Sequence, residues 1–452
     1  MSTTRTGRRR LLGGAVGTFV EWYDFLVYGI SAPVLAEHFF PRSNPTAALL
    51  GTLAIFGVAF VVRPLGGMFF GYLGDRHGRI KILSMTVLLM GAATMLLGLL
   101  PTYETIGIAA PILLVVCRLI QGFSTGGEHS GAMSFVLESA PEGRRARWIG
   151  IVWSASFVPV AVMAVMMLGL QQALGRETYG AWGWRVPFLF GAVIAVAGLF
   201  IRLRLTDPEE FVEASREAPV RNPVRSAVTR DFRSLLIVLL LMGPSTISVY
   251  LLITYMYTFL VQTVRLDSTV ALLSNATATV VVAIMVPFLS ALADRVGRKP
   301  LMYAGTAWLV VAAYPAIRLV GTGNTAAVYA GQLLIGMGIA LLSGGCIVTM
   351  LELFRTSVRY SGHAIAYNVG AAVFGGATPF IAGVLVNSAG PLAPAYYLAG
   401  AALVGVVVVK FTPETRGIDL RTAGAPDTAA VAGKHGRARW KRSRTETFRG
   451  AE

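Results

Sequence analysis

Two carboxylates and a guanidinium interrupt apolar runs in this chain. Glu21 and Asp24 break the run that follows Arg8-Arg9-Arg10, and Arg118 breaks a later one. A charge at the centre of a membrane-crossing helix costs about 3 kcal/mol on insertion scales, so each should face a partner or water. From a helix start near residue 14, a rise of 1.5 Å per residue puts Glu21 roughly 10 Å deep and Asp24 roughly 15 Å deep. Positions 21, 24, 25 and 28 share a helical face, so both acids, the Phe25 ring and the Tyr28 phenol look the same way. Acids that close repel one another in a low-dielectric cavity, and a proton bound near neutral pH relieves the repulsion. That is chemistry for carrying a proton; a salt-bridged pair that merely locks helices is the competing reading.

Arg118 falls near the middle of its own run. It could hold a carboxylate through a bidentate contact, release Glu21 or Asp24 when a ligand arrives, or form a purely structural ion pair. Gln121, Thr125 and Glu128 follow it at helical spacing on one face. His129 comes next, either as a proton relay or as a packed, hydrogen-bonded ring. Later in the chain Tyr250, Tyr255 and Tyr257, and then Tyr367 with Asn368, place polar tips in apolar helices. Some should line a cavity and others anchor at the membrane interface; Asn368, an amide deep in lipid, needs a partner most.

The elements that position these groups follow from composition. The chain has 452 residues, 55% of them hydrophobic and 14% charged, with a mean hydropathy of +0.64. That is too much apolar surface for a soluble fold. Spans of about 20 residues are expected near 14–35, 48–72, 81–100, 106–137, 148–173, 184–203, 235–262, 270–293, 300–320, 326–352, 362–388 and 393–411. The fold class is therefore all-α integral membrane, with twelve transmembrane helices. The net charge of +16 is concentrated at the termini and in alternate loops, including Arg144-Arg145 and Arg295 to Lys299. The positive-inside rule then places both termini in the cytoplasm of a multi-pass cell-membrane protein and removes the case for nucleic acid. A basic tail in contact with anionic lipid is a further option. Cys117 and Cys346 read as small core residues. The N-terminal Arg cluster imitates a signal peptide, but the run after it meets Glu21 and Asp24 without a convincing cleavage site, so it is expected to be retained.

The chain also repeats itself. Gly74-Asp75-Arg76-His77-Gly78-Arg79 is echoed by Ala293-Asp294-Arg295-Val296-Gly297-Arg298-Lys299. Glu138 with Arg145, after the fourth span, is echoed by Glu352 with Arg359, after the tenth. The expected organisation is a cytoplasmic N-terminus at 1–13, six-helix bundles at 14–203 and 235–411, a cytoplasmic central loop at 204–234, and a basic, disordered tail at 412–452. Parallel six-span repeats point to two bundles rocking about a midplane site.

Gly71-Tyr72-Leu73-Gly74-Asp75-Arg76-His77-Gly78-Arg79 resembles the loop signature between spans two and three of the major facilitator superfamily. Glu21-Trp22-Tyr23-Asp24-Phe25, Arg63-Pro64-Leu65-Gly66-Gly67, Gln121-Gly122-Phe123, Trp182-Gly183-Trp184-Arg185 and Arg359-Tyr360-Ser361-Gly362 resemble its metabolite:proton symporters. The resemblance runs from about 13 to 420. It implies proton-coupled import of a small organic acid or zwitterion by alternating access, with export by antiport as the alternative. The partners are then a small solute, protons and the lipid bilayer, and the chain is expected to act as a monomer. In the loop motif the glycines are expected to permit a tight turn. Asp75 should face the N-terminus of span eleven, braced by Arg76 and Arg79, and Asp294 with Arg298 should repeat this against span five. Glu138 with Arg145 and Glu352 with Arg359 fit the same charge network. Relatives that sense osmolarity can end in a coiled coil, and 412–452 has no apolar heptads. Pro159 is expected to kink span five. No phosphate-binding loop, metal-ligand spacing or nucleophile elbow occurs, so neither an enzyme nor a cofactor is expected.

Overall fold

The computed structural model describes residues 2–41, 43, 45–204, 206–207, 211–213, 223–421 and 423. Apolar runs of this length satisfy their backbone groups in lipid by forming helix. We number the long helices α1 (Ser2–Phe39), α2 (Pro45–His77), α3 (Arg79–Leu99), α4 (Ala109–Ser139), α5 (Arg145–Leu174) and α6 (Tyr179–Arg202). The second half continues with α7 (Phe232–Thr263), α8 (Ser268–Val296), α9 (Arg298–Gly321), α10 (Thr325–Glu352), α11 (Thr356–Ala389) and α12 (Ala393–Phe411). Among the described residues eleven helices are long and apolar enough to cross a membrane, and α1, which carries Glu21 and Asp24, packs among them as the twelfth. Outward-facing side chains such as Val311, Phe380 and Phe288 are at least 73% exposed, which suits lipid rather than water.

The two halves repeat their packing. In the first, α2 packs on α4 and α3 on α6; in the second, α8 packs on α10 and α9 on α12. Across the seam, α2 meets α11 and α5 meets α8. The close crossing of α2 on α4 is made by glycine. A Cβ at Gly122 would overlap the Ala59 backbone, and one at Gly126 would overlap the Arg63 carbonyl. Small residues let membrane helices approach until backbone touches backbone. Gly122→Ala should therefore destabilise the first half by about 3 kcal/mol, read as a lower melting temperature in detergent. Gly57→Ala, whose Cβ would meet nothing within 4 Å, should leave it unchanged.

Helix α5 breaks at 155–157, between Arg145–Ser154 and Val158–Leu174. Pro159 lacks an amide hydrogen and its ring crowds the carbonyl four residues back, so the break sits where that bond would form. Helix α7 carries widened turns at Leu251–Tyr255 and Phe259–Thr263, and α11 carries one at Ala371–Gly375.

Two loop segments bind helix ends. Asp207 accepts the Ile80 amide at 2.9 Å, and Glu414 accepts the Arg298 and Lys299 amides at 2.9 and 3.0 Å. Each acid caps the third helix of its half, where the helix dipole favours negative charge. The tail expected to be disordered thus starts out packed: Thr415, Leu420 and Ala423 are buried. Residues 424–452 lie outside the described residues, as do Pro208, Glu209, Glu210, Arg216 and Arg221 of the central loop.

Candidate functional site

At the end of the bundle where α2 gives way to α3 and α12 finishes, buried charge joins the halves. Asp75, near the end of α2, accepts the Ser361 amide of α11 at 2.8 Å and pairs with Arg79. Arg79, at the start of α3, also reaches Glu138 at 2.9 Å and the Thr356 carbonyl at 3.0 Å. Glu138 receives Arg359 from the other half at 2.8 Å. Asp75, Arg79, Glu138 and Arg359 are all buried. The repeat places Asp294 over the start of α5, accepting the Ala146 and Arg147 amides at 3.0 and 2.9 Å, with Arg298 3.1 Å from its carboxylate. Two acids thus sit on helix N-termini across the seam, where exposed amides and the dipole attract negative charge.

Several expectations change. Glu138 pairs with Arg79 and Arg359 rather than with Arg145. Glu352 pairs with Arg298 at 3.0 Å rather than with Arg359. Arg145 instead donates to the Ile418 carbonyl at 2.7 Å, and Thr415 donates to Glu352 at 2.6 Å. The segment after α12, which the sequence reading left out of the network, therefore occupies the place the repeat would give to an Arg145–Glu352 pair. Arg76 does not brace Asp75; it is exposed and bonds to the Tyr72 hydroxyl. Arg295 is likewise exposed. Among the glycines of the repeated loop motif, Gly78 and Gly297, at φ 105° and 109°, are the ones that act as turn glycines. Gly71 lies within α2, where a Cβ would come 2.9 Å from the Ser361 Cα, so its smallness serves close approach. Outside the spans, burial pushes the Asp231 carboxyl above its usual range, against the opposing pull of Arg355 at 2.8 Å.

Nearer the middle, α1, α2, α3 and α4 bring the other charges together, but the two acids take different partners. Glu21 pairs with Arg63 of α2 at 2.6 Å and lies 3.3 Å from Nδ1 of His129. Asp24 accepts from Thr94 and, at 2.7 Å, from the Gln121 amide; its second oxygen has no partner among the described residues. Gln121 then bridges to Arg118, whose Nη1 donates to Oε1 at 3.0 Å. Arg118 is fully buried, and its Nε and Nη2 have no hydrogen-bond partner among the described residues. The rings of Tyr28, Phe25 and Phe56 surround it at 4.3, 5.2 and 5.2 Å. These contacts stabilise a cation but leave its donors unmet.

From the second half, Tyr250 reaches this region, 6.0 Å from Phe60 and 6.2 Å from Trp22. Its neighbour Arg63 lies over Phe25 and Phe60. Asn368 donates to the Gly126 carbonyl at 2.7 Å and ties α11 to α4. Tyr255 instead lies 6.1 Å from Phe259 with the rings tilted at 39°, and Tyr257 is exposed. Glu128 also leaves the group: its carboxylate is closed by Arg202 and Thr86 inside the first half. Glu128 shares the face of Gln121 but lies seven residues, nearly two turns, further along α4, beside Arg202, the last residue of α6. Arg63 and His363 went unselected. Arg63 satisfied the same rule that selected Arg118, a cation inside an apolar run, whereas His363 stood at the edge of its expected span.

The sequence profile described as Major Facilitator Superfamily matches residues 14–377 and, again, 273–447. A proline/betaine transporter of Escherichia coli K12 is 35% identical over 436 residues, which cover 92% of this chain and 85% of that protein. The glycine betaine/proline/ectoine/pipecolic acid transporter OusA of Dickeya dadantii is 34% identical, with the same coverage. Among solved structures, the proton:xylose symporter XylE bound to 6-bromo-6-deoxy-D-glucose superposes with a TM-score of 0.76 at 16% identity. The match covers 93% of this chain and 98% of that one, and it supports the twelve-helix, two-repeat architecture.

Proposed function

This chain belongs to the Major Facilitator Superfamily and is a multi-pass transporter of the cell membrane, not an enzyme; on that premise we propose that it imports a small zwitterion of the glycine betaine or proline type together with protons. The observation that carries the reading is Arg118, a buried guanidinium with two unmet donors, held one glutamine away from Asp24. A substrate carboxylate satisfies both donors in bidentate fashion. Its cationic end then finds aromatic faces, Phe25, Phe60, Trp22 and Tyr250, and the carboxylates of Glu21 and Asp24. Relatives named for proline and betaine support the same class. They do not favour the export alternative.

In this reading the halves 14–203 and 235–411, joined by 204–234, rock as units in a monomer, and the terminus end is cytoplasmic. The buried network of Asp75, Arg79, Glu138 and Arg359, with Asp294 and Arg298, is the cytoplasmic gate. Glu21 and Asp24 carry protons, with His129 as the relay. Proteoliposomes with an imposed inward proton gradient test the substrate class. Labelled glycine betaine and proline should accumulate at least about tenfold over a no-gradient control, and labelled citrate should not. Accumulation of citrate in preference to both would overturn the zwitterion assignment.

A further inference from the structure

Two imidazoles face each other across the seam between the halves. His129 comes from α4 and His363 from α11, and they are 0% and 1% exposed. Their ring centroids lie 6.3 Å apart at an interplanar angle of 25°. Tyr367, one turn beyond His363, lies against both rings, at 4.2 Å from His129 and 5.3 Å from His363. Nδ1 of His363 is 2.9 Å from the Ser130 hydroxyl of the first half, and Nδ1 of His129 is 3.3 Å from the Glu21 carboxylate. Nε2 of each ring has no partner among the described residues. If these positions served packing alone, phenylalanine would fill them without leaving buried nitrogens unmet. Imidazole differs in taking a proton at one nitrogen and releasing one from the other.

We propose that His363 is the proton site of the second half, sharing a single proton with His129 across the seam. The proposal rests on the proton-coupled reading and adds to it the residue that receives the proton on the moving half. Protonated Glu21 gives its proton to Nδ1 of His129 and remains as the carboxylate paired with Arg63. The Nε2 proton of that imidazolium passes to the free Nε2 of His363, whose ring centroid lies 6.3 Å away, and His129 is neutral again. One proton moves and none is gained or lost. Both rings cannot be charged together, because two imidazoliums at this separation in a buried seam repel.

The groups facing the pair are Glu21 from α1, Arg63 from α2, Ser130 from α4, Trp153 from α5, Tyr250 from α7 and Tyr367 from α11. Glu21 is the one anion among them, since Glu128 is turned onto Arg202. Opening the cytoplasmic gate draws the rings apart, leaves the proton on His363 and exposes it to water on that side. Proton release is thereby tied to the motion of the halves.

The test compares wild type, His363→Gln and His363→Phe in proteoliposomes. Accumulation of labelled glycine betaine under a proton gradient is measured from pH 5 to 8, along with exchange of labelled for unlabelled solute at equal pH. His363→Gln, which still reaches Ser130, should keep exchange within about twofold, lose at least about tenfold in gradient-driven accumulation and flatten the pH profile. His363→Phe should flatten it too, and His129→Gln combined with His363→Gln should be no worse than either alone. A wild-type pH profile and accumulation ratio in His363→Gln would overturn the proposal. So would parallel loss of exchange and accumulation in a folded variant, which is what a packing role would give. Failure of the parent reading is distinguishable, since wild type itself would then not accumulate solute on the gradient.

Discussion

Arg118→Ala should lose solute accumulation by more than about 100-fold while the bundle stays folded. Truncating one partner of a buried, hydrogen-bonded charge pair costs about 2–5 kcal/mol, or roughly 30- to 4000-fold. In the proposed reading the second partner is the solute, so the loss should appear as weakened binding and not as unfolding. The protein's own investment at this position is small: one hydrogen bond to Gln121 and three ring faces. Two unmet donors disappear with the side chain, which offsets the lost contacts in the empty protein. Arg118→Lys keeps the charge but not the fork, and should still lose about tenfold. Binding of glycine betaine by calorimetry, with the melting temperature measured alongside, separates the cases. A variant that binds normally would show that Arg118 is a structural cation.

Glu138→Gln should have the second large effect, on conformation and not on binding. The carboxylate receives Arg79 from its own half and Arg359 from the other. Removing its charge leaves two buried guanidiniums without it, a loss of about 3–5 kcal/mol, or roughly a 150- to 4000-fold shift toward the state open at this end of the bundle. Glu352→Gln is the matched comparison. Its partners Arg298 and Thr415 belong to its own half and the segment after it, so that change should lower stability with little shift between states. Spin labels at the exposed positions 76 and 295, on opposite halves, report the difference. The distance between them should lengthen in Glu138→Gln and stay near wild type in Glu352→Gln. An unchanged distance in Glu138→Gln would remove this carboxylate from the gate.

The helices were legible because hydropathy and the backbone's need for internal hydrogen bonds leave lipid-buried segments few alternatives. The contact of Asp75 with the start of α11 follows from the loop motif's resemblance and its echo from Asp294 on α5 from the repeat, since an acid beside the first turn of a helix is favoured by the amides exposed there. Pairings were harder. Glu138 and Arg145 lie close along the chain, but Arg145 begins α5 and turns toward the segment after α12, while Arg359 arrives from the far half. Glu128 lay on the face of Arg118, yet was taken by Arg202 at the end of α6. Facing positions on one helix are read from its period; which helix comes opposite depends on packing, set here by glycines at 66, 122 and 126 letting α2 and α4 touch. His363 illustrates the same gap, because its meaning depends on an imidazole from the other half.

In proton-coupled import, protons and solute enter together through the cluster around Asp24. Proteoliposomes loaded with a pH-sensitive dye, with equal pH on both sides and the membrane potential clamped, should acidify inside when glycine betaine or proline is added outside. Asp24→Asn should take up fewer protons per solute than wild type, although exchange of solute persists. Internal alkalinisation on solute addition, or solute entry through wild type without any pH change, would contradict proton-coupled import.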